Sequence, residues 1–128
     1  MIKLNQIYKC EVCGNIIEIV HEGAEELVCC GQIMLLQTEK IKDEGQEKHL
    51  PVIEHGDNNL ITIMVGKTQH PMEEKHHIEW IEIITKDNKI LKKQLNVGEL
   101  PATAFKCISP IKEVRAYCNV HGLWVNKQ

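Results

Sequence analysis

Apolar positions along the chain fall into short runs with the period of a strand. Ile16-Ile-Glu-Ile-Val20 is a β-branched run behind the turn pair Gly14-Asn15. Leu60 to Val65 follows the turn Asp57-Asn58-Asn59 and is ended by Gly66, and Ile78 to Thr85 is closed by Lys86-Asp-Asn-Lys89. Alternation slips at Trp80-Ile81 inside that last run, which predicts a bulge. Further strands are predicted over 90–95, 102–108 and 113–117. Pro51, Pro71, Pro101 and Pro110 fall between runs, where they disturb sheet ladders least. Only residues 22–27 and 72–77 leave room for a short helical turn. Strands at this spacing without long helical patterns predict a mainly β fold, an antiparallel sandwich.

Size and charge narrow the classes. A length of 128 residues suits one domain, or a small module beside a medium one. No apolar run approaches the ~20 residues of a membrane span, so no membrane role is expected. The first ten residues lack the apolar stretch of a secretory signal, which points to the cytoplasm. A net charge of −3 argues against nucleic acid as a partner, and one Phe, two Tyr and two Trp are too few for base-stacking platforms.

Six cysteines and seven histidines change the picture. In a reducing compartment cysteines serve metals or catalysis more often than disulfides. Four of the six form the pattern Cys10-x2-Cys13-x15-Cys29-Cys30 within the first 36 residues. A Cys-x2-Cys knuckle converges two thiolates on one ion, and a second pair completes a tetrahedral S4 site for zinc or a single iron. The adjacent pair Cys29-Cys30 can share an ion only with a strained backbone, which Gly31 relieves. A knuckle that merely holds this short segment together is the plainer reading, since so few residues bury too little apolar area to fold alone. The polar stretch Gln37 to Gln46 reads as a connector, and after it the ligand type changes to histidine.

His49 follows Glu47-Lys48; His70 and His76 flank a proline turn; Cys118 and His121 stand three apart in a loop closed by Gly122. Four imidazoles and a thiolate exceed the four ligands of structural zinc, and five donors with a sixth position open describe a reactive iron geometry. Singly, each histidine is more often a surface or hydrogen-bonded residue, and His21, His55 and His77 are read so. Cys107 reads as a small core residue and Met72 as packing.

Together these residues resemble the desulfoferrodoxin family of superoxide reductases, over essentially the whole chain. The resemblance rests on the four-cysteine pattern, Glu47-Lys48-His49, His70-Pro-Met-Glu-Glu-Lys-His76, Ile78-Glu-Trp80 and Cys118-Asn-Val-His121-Gly-Leu-Trp124. It implies a desulforedoxin-like Fe(Cys)4 module over 1–37 and a neelaredoxin-like, immunoglobulin-like β-sandwich over 38–128. It implies that His49, His70, His76 and His121 are equatorial ligands of a second iron with Cys118 axial, an Fe(His)4(Cys) centre. The residue matching Glu47 can occupy the sixth position of ferric iron in that family, and the one matching Lys48 assists near the open site. The implied reaction is one-electron reduction of superoxide to hydrogen peroxide, with electrons from a rubredoxin-like donor; a homodimer is expected because the short N-terminal module needs covering surface. A non-catalytic iron electron carrier is the competing reading, and it gives no reason for Glu47-Lys48. A zinc-stabilised binding module with incidental histidines is a third.

Overall fold

The computed structural model describes residues 2–42 and 48–128. The chain divides into two compact units, Met1–Thr38 and Glu39–Gln128. Among the described residues there is no helix, and so none long and apolar enough to cross a membrane.

The smaller unit contains β1 (Ile7–Lys9), β2 (Ile16–Glu18), β3 (Val28–Cys29), β4 (Gln32–Ile33) and β5 (Leu35–Leu36). β1 lies between β2 and β5 in one sheet, and β3 pairs with β4 as a hairpin. Its buried apolar side chains are Ile7, Cys10, Ile19 and Met34, while Val20, Val28 and Ile33 are 79%, 61% and 57% exposed. So small a core cannot by itself offset the chain entropy of 38 residues. The helical turn predicted over 22–27 does not form: Glu25 has φ 83°, a left-handed conformation that interrupts any right-handed turn.

The larger unit contains β6 (Pro51–His55), β7 (Leu60–Val65), β8 (Ile78–Thr85), β9 (Ile90–Gln94), β10 (Ala102–Lys106), β11 (Ile111–Cys118) and β12 (Gly122–Lys127). They form two antiparallel sheets, β10-β7-β6 and β12-β11-β8-β9. Side-chain alternation on β7 buries Ile61, Ile63 and Val65 and leaves Leu60 and Met64 exposed. The buried set joins Ile78, Ile81, Ile83, Val114, Ala116 and Cys118 of the second sheet in one core, as facing sheets of a sandwich do. β7 and β8 coincide with the predicted runs. β6 and β12 were not predicted; Pro51 opens β6, the first position of an edge strand, where a missing N–H costs no ladder bond.

The bulge falls beside its predicted place. Tyr117 pairs with Trp80 and Cys118 with Ile78, so Glu79 is the extra residue. Its carbonyl accepts from the Leu95 N–H at 2.9 Å, and Ile78 turns inward next to Cys118. The turn predicted as helical over 72–77 is instead a tight reversal in which Glu73 and His76 exchange backbone bonds of 2.9 and 3.1 Å. The connector is not purely a tether. Lys40 forms a parallel bridge with Trp124, donating its N–H to the Leu123 carbonyl at 3.0 Å and accepting from the Val125 N–H at 2.9 Å.

Candidate metal centres

In the smaller unit Cys10 follows β1, Cys13 lies in the next turn, Cys29 ends β3 and Cys30 starts the β3–β4 turn. Their four sulfurs lie within 4.8 Å of one another. Sγ of Cys29 is 3.6 Å from that of Cys13 and 4.0 Å from that of Cys30. Four thiolates held tetrahedrally at about 2.3 Å from one ion lie about 3.8 Å apart, so the spacing fits. Bringing neighbours Cys29 and Cys30 together takes the expected distortion: Cys30 has φ 53° and Gly31 φ 70°. The Cys13 N–H points at Cys10 Sγ over 3.5 Å and is the main reason that thiol is held down to about 6. Cys29 is pushed up to about 12, first by its hydrogen bond with Cys13. One anion is thus favoured and further ones resisted, which is what sulfurs gathered for a cation do without it. All six cysteines are free of disulfides.

In the larger unit the donors collect at one end of the sandwich. His49 precedes β6, His70 follows β7, His76 precedes β8, and Cys118 and His121 flank the β11–β12 turn. Donor atoms of His49, His70, His76 and Cys118 lie within 4.8 Å of one another. His121 closes the set, its Nδ1 being 3.0 Å from His49 Nε2 and 3.8 Å from Cys118 Sγ. Two ligand nitrogens at right angles on one ion, each about 2.1 Å from it, would also stand about 3.0 Å apart.

The four imidazoles form a closed square. Neighbouring centroids are 5.0 Å (His49–His70), 4.7 Å (His70–His76), 5.0 Å (His76–His121) and 4.7 Å (His121–His49). Each neighbouring pair meets edge to face, and the His49–His76 diagonal is 6.4 Å. Cys118, fully buried, forms the floor, and His121 is on the exposed rim. Nε2 of His70 and of His76 are buried with no hydrogen-bond partner. Such orphans are costly unless something absent from the protein fills them, and a metal ion is the group that four neutral imidazoles and a sulfur accept.

Surrounding bonds fix these rings. His70 Nδ1 faces the Pro71 carbonyl at 2.7 Å, which assigns the proton to Nδ1 and leaves Nε2 as donor atom. Burial pushes His70 down to about 4 and lowers His76 as well, keeping both in the neutral, ligating form. His49 stacks on Trp124 at 4.4 Å and 16°. The His121 N–H donates to Cys118 Sγ at 3.4 Å. Burial raises the Cys118 pKa, opposed by the backbone N–H groups of His121 and Val120, so a bound cation must hold the thiolate form.

Two residues with no role evident from the sequence, Asn119 and Gly66, tie the ligand loops together. Asn119 accepts at Oδ1 from the His77 N–H (2.9 Å), donates from Nδ2 to the Lys75 carbonyl (3.1 Å), and donates its own N–H to the His77 carbonyl (3.1 Å). This clamps the Cys118 loop to the His76 loop. Gly66 (φ +84°) lies where a Cβ would come 2.4 Å from the Thr68 carbonyl oxygen and 2.5 Å from that of Lys48. Gly66→Ala is therefore expected to separate the His49 and His70 segments. The expected result is about one iron per chain where the parent holds about two, with the tetrathiolate spectrum intact, and a stability loss of about 2 kcal/mol or more. Iron analysis with visible spectroscopy checks it.

Other assignments fall as follows. Lys48 is half-buried, and its charge is among the influences that lower His76. Glu47 lies outside the described residues. Cys107 is buried in the core, its Sγ donating to the Ser109 carbonyl at 3.3 Å. Met72 packs on the core and its Sδ accepts from the Ile78 N–H at 3.3 Å. His21 and His55 are exposed, and His77 Nδ1 bonds the Glu73 carbonyl at 2.9 Å.

Fold and donors together define a class: a two-unit, all-β protein with a tetrathiolate group in one unit and a four-imidazole, one-thiolate ring in the other. Comparison with known proteins names it more closely. Residues 41–127 match the desulfoferrodoxin family model, and residues 3–36 that of the desulfoferrodoxin N-terminal domain. A desulfoferrodoxin homologue of Archaeoglobus fulgidus is 52% identical over 124 residues, 97% of this chain and 98% of that one. A superoxide reductase of Pyrococcus abyssi is 35% identical over 73% of this chain and 96% of its own. The crystal structure of the superoxide reductase from Treponema pallidum, 24% identical, superposes with a TM-score of 0.79 over 95% of this chain and 97% of that one, which shows the fold. The chain belongs to the desulfoferrodoxin family. That family carries two iron centres, and each has a donor group here that could bind one.

Proposed function

We propose that this chain is a superoxide reductase, converting O2•−, one electron and two protons into hydrogen peroxide. The observation that carries the reading is the closed square of four imidazoles over a buried cysteine, with the orphaned Nε2 atoms of His70 and His76 within it. His49, His70, His76, His121 and Cys118 would hold one iron; Cys10, Cys13, Cys29 and Cys30 would hold the other. Bound ferrous iron supplies the transferred electron.

The remaining work belongs to the protein. Neutral imidazoles add no negative charge, so a dication with one thiolate keeps about +1 and attracts a small anion. Lys48, beside His76, adds a cation that focuses superoxide toward the site despite the net charge of −3. Glu47 is assigned the anionic cap of the oxidised site. Cys118, the buried donor, would supply a thiolate that raises electron density on a bound iron. The exposed rim at His121 lets water deliver protons.

The division into modules 1–37 and 38–128 follows from the change of donor type, and a rubredoxin-like protein is the proposed electron donor. A homodimer is supported by the apolar side chains that the smaller unit exposes, Val20, Val28 and Ile33 among them. Six free thiols suit a reducing cytoplasm.

The test is rapid mixing of the reduced, iron-loaded protein with superoxide. The expected result is peroxide without a matching release of dioxygen; matched dioxygen means dismutation and refutes the proposal. Lys48→Ala should slow the bimolecular step by roughly tenfold at low salt and flatten its salt dependence. An unchanged rate removes Lys48 from the mechanism.

A further inference from the structure

Lys40 reaches the larger unit's centre through the His121 loop. Its backbone is fixed by the rung it forms with β12, through the Leu123 carbonyl and the Val125 N–H. Its Nζ donates to the His121 carbonyl oxygen and lies 5.3 Å above the centroid of the Trp124 ring. Trp124 in turn stacks on His49. Gly122, at φ +84°, makes the turn that presents this carbonyl. The His121 peptide that accepts from Lys40 belongs to the residue whose N–H donates to Cys118 Sγ. One ammonium thus bears on His121 directly and on His49 through the tryptophan.

We infer that Lys40 is a positioning residue of the histidine–thiolate centre, holding the His121 loop and the Trp124–His49 stack and raising the centre's reduction potential with its charge. The inference rests on reading that group as an iron site. A nearby cation favours whichever oxidation state carries less positive charge, so it favours the ferrous state. Lys48 and Lys40 then divide the work: the first attracts the anionic substrate and the second tunes and holds the ligands. Lys40 is exposed, so its electrostatic share weakens as salt rises.

The test uses the full-length, iron-loaded protein and three variants: Lys40→Met, which keeps length and loses charge; Lys40→Arg, which keeps charge; and Lys106→Met, a control at the far end of β10. Each is titrated potentiometrically while the absorption of the larger unit's iron is followed, and each is challenged with a ferrous chelator. Lys40→Met is expected to half-reduce at a lower potential than the parent and to release that iron roughly tenfold faster. Lys40→Arg should lie nearer the parent on both measures, and Lys106→Met should match the parent. The shift between parent and Lys40→Met should shrink in high salt. If Lys40→Met behaves like Lys106→Met, or Lys40→Arg like Lys40→Met, the inference is wrong. Should Lys40→Met not fold, Lys40→Gln is held to the same criterion. A parent protein without the second iron would overturn the site reading and this inference together. A normal parent titration with no effect of Lys40 would overturn this inference alone.

Discussion

Cys118→Ser is expected to abolish the visible absorption of the larger unit's iron, to leave that of the tetrathiolate unchanged, and to lower the rate of superoxide reduction by more than about a hundredfold. The side chain is fully buried in the sandwich core, so its charged form exists only if something opposite balances it. The His121 N–H at 3.4 Å supplies part of that balance, but burial still raises the thiol pKa. A serine hydroxyl there would stay protonated and could offer a bound iron only a weak neutral donor. Loss of a partner one shell outside a metal typically costs 10- to 100-fold in affinity or activity, so loss of a direct anionic donor should cost more. Cys107→Ser is the control. Cys107 is also buried in the core, yet it stands outside both donor groups, and its substitution should move neither spectrum nor rate. A Cys118→Ser protein that keeps its absorption and rate would show that the sulfur is not a ligand.

Much of this was legible from local pattern, and the exceptions share a cause. β7 and β8 were readable because each is a β-branched run bounded by turn residues, and a two-sheet core leaves little freedom in where such runs go. β6 was hidden by its opening proline, and β12 by a glycine and a tryptophan that read more readily as motif than as strand. Spacing alone exposed the four cysteines, since Cys10 and Cys29 are only 19 positions apart, Cys30 follows directly, and a knuckle folds locally. The histidine ring is different. His49 and His121 are 72 positions apart, and only the closing of β6 and β12 into neighbouring edges brings them together. Their joint role came from resemblance to a family, not from spacing. Gly66 is legible only as the end of a strand and Asn119 only as part of a motif, and Lys40 carries no signal, because each acts by a close backbone approach or a carbonyl contact between distant segments. Such contacts are properties of the assembled sandwich.

The largest effect on stability is expected from breaking the Arg115–Glu82 pair, away from both centres. Arg115 lies on β11 directly across from Glu82 on β8, which is itself paired with Lys92 on β9. Arg115 Nε bonds Glu82 Oε1 at 2.8 Å and its terminal nitrogen approaches the same oxygen at 2.6 Å, with side chains 2% and 0% exposed. Lys92 Nζ adds a looser contact to Oε2 at 3.7 Å and covers the Trp80 ring, which stacks on Tyr117 at 4.6 Å and 5°. Desolvating two charges is costly, and their attraction inside the protein about offsets that cost. Removing one partner therefore does not merely delete a favourable contact; it strands the other charge out of water. Glu82→Gln and Arg115→Met should each destabilise the larger unit by about 3–5 kcal/mol, a fall in melting temperature of at least about 12 °C for a domain of this size. The double replacement Glu82→Leu with Arg115→Met removes both charges and should cost far less than either single change, within about 1 kcal/mol of the parent. Iron content and rate per folded molecule should stay at the parent value in all three, because the pair touches no donor. Denaturant melts of the iron-loaded proteins read the cycle directly. Additive single costs would mean that the two charges are stabilised independently of each other. A double variant as fragile as the singles would mean that the sheet needs this pair for its shape, and not only for its charge balance.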